Sequence, residues 1–197
     1  MNRSAAVVVA SNRAAKGIYA DSTGPLLVAA LREWGFDTPD PVVVPDGPPV
    51  GQAVAAAIAS GVAVVLTTGG TGINPTDRTP DEVGPLLDRT LPGVAEAIRA
   101  YGLAHGVPTA ALSRGVAGVA GSTLVVTLPG SSGGVRDGIA VLAELVPHAV
   151  DQLAGGDHPE SGMPGSGTVP DVPESGTVPD VPESGTVPDV PGSGTVT

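Results

Sequence analysis

Residues 62–82 read Val-Ala-Val-Val-Leu-Thr-Thr-Gly-Gly-Thr-Gly-Ile-Asn-Pro-Thr-Asp-Arg-Thr-Pro-Asp-Glu, and this stretch decides the architecture. Val62 to Thr67 is an apolar run too short for a helix and rich in β-branched side chains, the signature of a strand buried on both faces. Three glycines follow within four residues. Thr79-Pro80-Asp81-Glu82 then reads as a helix start, with Thr79 as cap, proline at the first helical position and Glu82 reaching back in a capping box. A buried strand that passes through a glycine loop into a helix is the repeating unit of an α/β sheet.

The same alternation extends in both directions. Upstream, Ala5 to Ala10 is an apolar run ending in the polar loop Ser11-Asn12-Arg13. Leu26, Leu27, Ala30, Leu31 and Trp34 recur at helical spacing, with Ser22 or Thr23 as the candidate cap and Gly35 as the stop. A Val-rich strand at Pro41–Pro45 and an alanine-rich helix at Val50–Ser60 complete the first half. Downstream, Pro92 opens a helix through Ala97, Ile98 and Tyr101 toward His105. Arg114–Val119 and Thr123–Leu128 read as two strands of a hairpin turning at Gly121-Ser122, and a last helix runs from Val135 to Leu153. The expected fold is a three-layer α/β domain over residues 1–154, its mainly parallel sheet covered by helices on both faces and extended by a small antiparallel hairpin.

From Ser166 the chain repeats with a period of nine, Ser-Gly-Thr-Val-Pro-Asp-Val-Pro-Glu, beginning at Ser166 and Ser175 and recurring from Ser184 with Gly192 in place of the last Glu. Each unit offers two valines for burial, against about 1–2 kcal/mol of backbone entropy for every residue ordered. Residues 155–197 are therefore expected to be a disordered, extended Pro/Gly-rich tail. One glycine and two prolines per unit do not suit a calcium-binding β-roll.

Charge separates the two parts. All nine Lys and Arg precede residue 155, against thirteen acidic residues there, so the body carries −4 and the tail −7. Neither part has the clustered basic residues that track a nucleic-acid backbone. The absence of cysteine excludes disulfides, thiolate metal sites and cysteine nucleophiles. Six apolar residues after Arg3 are too few for a signal-peptide core, and no run approaches the roughly 20 of a membrane span. A cytoplasmic protein is expected.

Ligands of open α/β sheets bind outside the carboxyl ends of the strands, which directs attention to three loops: Ser11-Asn12-Arg13, Thr67 to Gly72, and Pro129 to Gly134. In the second, Gly69, Gly70 and Gly72 beside Thr68 and Thr71 let the backbone approach a ligand and aim N–H groups at phosphate. The loop lacks the lysine of a P-loop. Asp77 lies five residues past Gly72, and Asp46 follows a separate strand in Val44-Pro45-Asp46-Gly47. If those strands are neighbours, two carboxylates from different loops flank the glycines, as a magnesium ion bridging a nucleoside triphosphate requires.

These motifs resemble the molybdenum-cofactor proteins of the Mog and MoaB group and the plant G domain. Thr67 to Gly72 followed by Asp77-Arg78-Thr79-Pro80 is similar to their Thr-Gly-Gly-Thr-Gly…Asp-x-Thr-Pro signature. Ser11-Asn12-Arg13-Ala14, Gly17 to Asp21, Pro45-Asp46, Ser113-Arg114 and Leu128-Pro129-Gly130 fall in the same order as in the Mog branch, so the likeness covers residues 5–153. The resemblance implies a homotrimer that uses Mg-ATP to adenylylate molybdopterin, releasing pyrophosphate before a partner inserts molybdate. It also implies that Asp46 and Asp77 hold Mg2+ and organise the transfer. Thr68, Gly69, Gly70, Thr71 and Gly72 would then meet the nucleotide phosphates, with Ser113, Arg114, Pro129, Gly130 and Ser131 on the pterin side. The chain departs from many relatives at Asn12, where they carry aspartate, and at Ser131 to Gly134, where they continue with Asn-Pro or Gln-Pro.

Two other readings are open to the residues. Gly130-Ser131-Ser132-Gly133-Gly134 fits the Gly-x-Ser-x-Gly of a hydrolase nucleophile elbow, with Asp137 and His148 following in order. The alternative within the resemblance is a non-enzymatic module that binds or assembles molybdopterin. The three histidines have no metal-ligand spacing. Trp34 and Tyr101 read as core or interface side chains.

Overall fold

The computed structural model describes residues 3–18 and 20–156. Tyr19 and the nonapeptide repeats expected to form an extended tail lie outside the described residues.

Six strands form one sheet in the order β2-β1-β3-β6-β5-β4. They are β1 (Ala5–Ala10), β2 (Val42–Val44), β3 (Val64–Thr68), β4 (Arg89–Thr90), β5 (Ala117–Ala120) and β6 (Thr123–Leu128). β2, β1, β3 and β6 run parallel, while β5 returns antiparallel to β6 and β4 pairs antiparallel with β5. The sheet is thus mainly parallel with the expected hairpin, which turns at Gly121 with φ +59°. Two features differ from the sequence reading. The first hairpin strand starts at Ala117 rather than Arg114, and the two-residue edge strand β4 carries no hydrophobic pattern because both its residues are exposed.

Side chains alternate across the pleat, and the core divides accordingly. On one face, Val7 and Val9 of β1 share a core with Leu27 and Leu31 of α2 (Gly24–Glu33), Ile98 of α5 (Pro92–Ala104), and Leu142 and Val146 of α6 (Ser132–Leu153). On the other, Val8 and Ala10 share a core with Val50 and Val54 of α3 (Pro48–Ala59) and Val83 of α4 (Thr79–Val83). β3 and β6 are buried along their whole length, so both faces are covered. Full burial of each such valine or leucine contributes about 1.5–3 kcal/mol. Trp34 is half-buried against the first core, and Tyr101 stacks on His105 with ring centroids 4.0 Å apart.

Helix ends depart from expectation in instructive ways. Thr23 holds the N-cap position of α2 as expected but makes no side-chain capping bond; the Asp21 carboxylate supplies it, accepting from the N–H groups of Thr23 and Gly24 at 2.9 and 3.1 Å. The expected capping box at Thr79 is not formed. The Thr79 N–H is committed to Gly70 O at 3.0 Å, its hydroxyl is buried without a partner, and Glu82 pairs with Arg78 at 3.5 Å. The anchoring of Thr79 to the glycine loop overrides the local cap. Ser11 caps a short helix, α1 (Asn12–Ala15), where a polar loop was expected. α6 stops at Leu153, beyond which Gly155 turns with φ +82° and Gly156 N–H reaches back to Asp151 O.

Candidate functional site

The register places the carboxyl ends of β2, β1, β3 and β6 side by side: Ala10 is level with Val44, Val9 with Thr68, and Thr68 with Leu128. The loops that leave these ends therefore share one edge of the sheet. Gly69 N–H donates to Leu128 O at 3.1 Å and Thr68 Oγ1 to Pro129 O at 2.8 Å, which ties the glycine loop to the Pro129–Ser131 loop. A Cβ on Gly130 would stand 3.0 Å from Gly69 Cα, and one on Gly69 would strike Ala10 O. Glycine at both positions is what lets three chain segments touch.

Both aspartates converge on this turn. Gly70 adopts φ +61°, and a Cβ there would overlap Asp46 Oδ2; a Cβ on Gly72 would lie 2.6 Å from Asp77 Oδ2. Asp46 is held from two sides, since its Oδ1 accepts from the N–H groups of Gly47 (2.7 Å) and Arg78 (3.1 Å). Its own N–H donates to Asn12 Oδ1 at 3.2 Å, so the asparagine that departs from relatives positions the Asp46 backbone. Asp77 Oδ2 accepts from Asn74 N–H at 3.2 Å. Among the described residues, the N–H groups of Gly70, Thr71 and Gly72 enter no hydrogen bond with the protein. Two half-buried carboxylates thus stand beside a row of uncommitted backbone donors.

Arg114 clamps this arrangement from outside. Its guanidinium donates to Gly72 O (3.0 Å), Asp77 O (2.6 Å) and both oxygens of Asp81 (3.0 Å each). The fork geometry of arginine suits such a bidentate pair. The Arg114 hydrogen bond is the main reason the Asp81 carboxyl is held below its ordinary value of 3.8, and the same pair raises Arg114 further.

A cavity of about 350 Å³ opens beside the turn. Thr71, Gly72, Asp77, Ser113, Pro129 and Ser131 contribute to its polar end, while Ala95, Ile98, Val107 and Leu112 form an apolar wall. Gly70 and Gly130 line it as well. Thr68 and Gly69 face a second cavity of about 380 Å³, bounded by Ser11, Arg13, Asp21 and Ser22, which shares Gly130 with the first. Asp46 and Arg114 line neither cavity: the Arg114 guanidinium is committed to the loops, and Asp46 is tied to them through Oδ1. Sequence reasoning missed Arg99 and named Asp137 only within the nucleophile-elbow reading, yet both lie on the first cavity's wall. Each sits within an amphipathic helix, and only the packing of α5 against α6 reveals that they face one space.

The nucleophile-elbow reading fails on geometry. Ser132 and His148 belong to the single continuous helix α6, along which they are about 24 Å apart. No imidazole from that helix reaches back to the serine.

The family model described as "Probable molybdopterin binding domain" matches residues 6–148. The chain is 39% identical over 155 residues to the molybdenum cofactor biosynthesis bifunctional protein of Synechococcus elongatus, covering 78% of this chain and 48% of that protein. It thus spans about half the length of that relative. It is 34% identical to the molybdopterin adenylyltransferase of Pyrococcus furiosus, covering 72% of this chain and 86% of that one. Among solved structures, the molybdopterin biosynthesis Mog protein from Mycobacterium ulcerans superposes with a TM-score of 0.74 at 52% identity, covering 79% and 99% of the two chains.

Proposed function

The chain belongs to the family of the probable molybdopterin binding domain, and from that membership we propose that it adenylylates molybdopterin with ATP in molybdenum cofactor biosynthesis. The observation that carries the reading is the glycine turn, whose free N–H groups at Gly70, Thr71 and Gly72 lie between the Asp46 and Asp77 carboxylates. Relatives named molybdopterin adenylyltransferase, matched over most of their length, support it.

In this reaction a phosphate oxygen of the pterin attacks the α-phosphorus of ATP. A phosphorus–oxygen bond forms as the bond to pyrophosphate breaks. Little covalent chemistry is asked of the protein, and positioning and charge stabilisation account for most of the catalysis. The free N–H groups of the turn hold phosphate oxygens in place. Arg114 keeps the 72–81 loop closed, so Asp77 stays aligned with Gly72. The apolar cavity accepts the pterin, and the polar cavity across Gly69 and Gly130 is the room for the nucleotide.

Magnesium takes oxygen ligands, commonly one or two carboxylates with the remainder from phosphate and water. Asp46 and Asp77 fit that donor set, and no closed cluster of three or more acidic, His or Cys ligands occurs among the described residues. When bound, the ion neutralises charge on the triphosphate and its leaving group. The polar Asn12 beside Asp46 acts on the carboxylate's backbone.

The test is incubation with molybdopterin, ATP and magnesium, followed by detection of the adenylylated pterin and pyrophosphate. Formation of both establishes the activity. Pterin binding without pyrophosphate release leaves a binding or assembly module, and absence of both overturns the reading.

A further inference from the structure

The wall of the first cavity carries two charged side chains that the transfer chemistry does not use. Asp137 projects from α6 and Arg99 from α5, and both line the space beside Ile98, Val107 and Leu112. The Asp137 carboxylate is half-buried, and among the described residues it has no hydrogen-bond or ion-pair partner. Gly102, three residues after Arg99 and on the same face of α5, leaves the room it occupies. A Cβ on Gly102 would lie 3.6 Å from Asp137 Oδ2 and 2.8 Å from Ala110 Cβ. Arg99 uses only Nη1, donating to Ser113 O at 3.2 Å and Gly115 O at 3.3 Å, so its other nitrogens are uncommitted.

An unpaired carboxylate beside an apolar wall offers acceptors that a ligand carrying matching donors can satisfy as it enters the cavity. The two oxygens of Asp137 accept two adjacent N–H groups, and the guanidinium of Arg99 donates to an acceptor. A flat heterocycle with that edge is a 2-amino-4-oxopyrimidine fused in a pterin. Its ring N–H and 2-amino group lie side by side, with the 4-oxo group next to them. A cavity of about 350 Å³ with aliphatic walls suits such a bicyclic ring.

We propose that Asp137 is the specificity-determining residue that reads the 2-amino edge of the pterin, with Arg99 directed to its 4-oxo group. This rests on the assignment of the apolar cavity to the pterin. Paired, charge-assisted hydrogen bonds from a carboxylate give geometric selection as well as affinity. A site with buried polar groups discriminates strongly against an analogue that leaves them unmatched.

The experiment compares binding of pterin with that of lumazine, in which a carbonyl replaces the 2-amino group, followed by intrinsic ring fluorescence. The full chain is used as wild type, Asp137→Asn and Asp137→Glu, each with a thermal melt. Wild type is expected to prefer pterin by at least about tenfold. Asp137→Asn should lose that preference while melting as wild type does, and Asp137→Glu should retain it. Arg99→Leu should weaken both ligands alike, because both carry the 4-oxo group. An unchanged pterin-to-lumazine ratio in Asp137→Asn overturns the proposal, as does wild type that binds neither ring yet forms adenylylated molybdopterin. In either case product formation leaves the adenylyltransferase reading standing, whereas its absence in wild type brings down that reading too.

Discussion

Gly70→Ala tests whether the glycine turn and the Asp46 carboxylate act together. Gly70 sits at φ +61°, where a side chain costs about 1–2 kcal/mol in the left-handed region. The new Cβ would overlap Asp46 Oδ2 and stand 2.5 Å from Thr79 Oγ1, against an ordinary carbon–oxygen contact of about 3.5 Å. Something has to retreat by about 1 Å. Thr79 is fully buried and tied to Gly70 O through its N–H, so the half-buried Asp46 side chain yields first. Displacement of a positioning group by about 1 Å lowers turnover on the order of 10²-fold. Overpacking and backbone strain together destabilise by about 2–5 kcal/mol, leaving a folded domain if total stability lies in the usual range of roughly 5–15 kcal/mol. The assay is pyrophosphate release across a magnesium titration, run beside a thermal melt. Gly93→Ala is the control, since a Cβ there meets nothing within 4 Å. A Gly70→Ala protein that turns over at the wild-type rate with unchanged magnesium dependence would refute the reasoning.

Asp46→Ala and Asp77→Ala should each lower magnesium-dependent adenylylation by at least on the order of 10²-fold while both proteins remain folded; near wild-type turnover in either, measured at saturating ATP, removes that residue from the mechanism. The Asp81 carboxyl is depressed chiefly by its hydrogen bond to Arg114, so its contribution to stability is complete above the ordinary carboxylate value and is lost as pH falls through the lowered folded-state value. Asp81→Asn should therefore flatten the acid limb of the melting temperature against pH, and an identical acid limb in both proteins contradicts this. The pair is solvent-exposed, so the change should be small and weaker at high salt. Deletion of residues 157–197 should leave the melting temperature and adenylylation within experimental scatter, with calorimetry and pyrophosphate release as the readouts; a large loss in either shows that the repeats contribute to the folded domain.

Sequence alone determined the layer architecture, because burial on both faces leaves Val-rich runs without polar alternation in β1, β3 and β6, and amphipathic helices leave a 3.6-residue period. It also marked the glycine turn, since glycine adopts the positive φ found at Gly69 and Gly70 without the strain a side chain brings. Short edge elements were not legible: Arg89–Thr90 and the helical turn after Ser11 bury too little to leave a pattern. The capping side chains at Thr79 and at Ser22 or Thr23 were misassigned, although Thr23 does hold the N-cap position, because local propensity yields to a longer-range tie, or to a stronger carboxylate acceptor one or two residues away. The meeting of Asp46 with Gly70, 24 residues further along, was decided by strand order, which sets β2 beside β1 and β1 beside β3. Arg99 and Asp137 became neighbours of one cavity only through the packing of α5 on α6, a contact between helices whose separate hydrophobic periods carry no record of what their polar residues face.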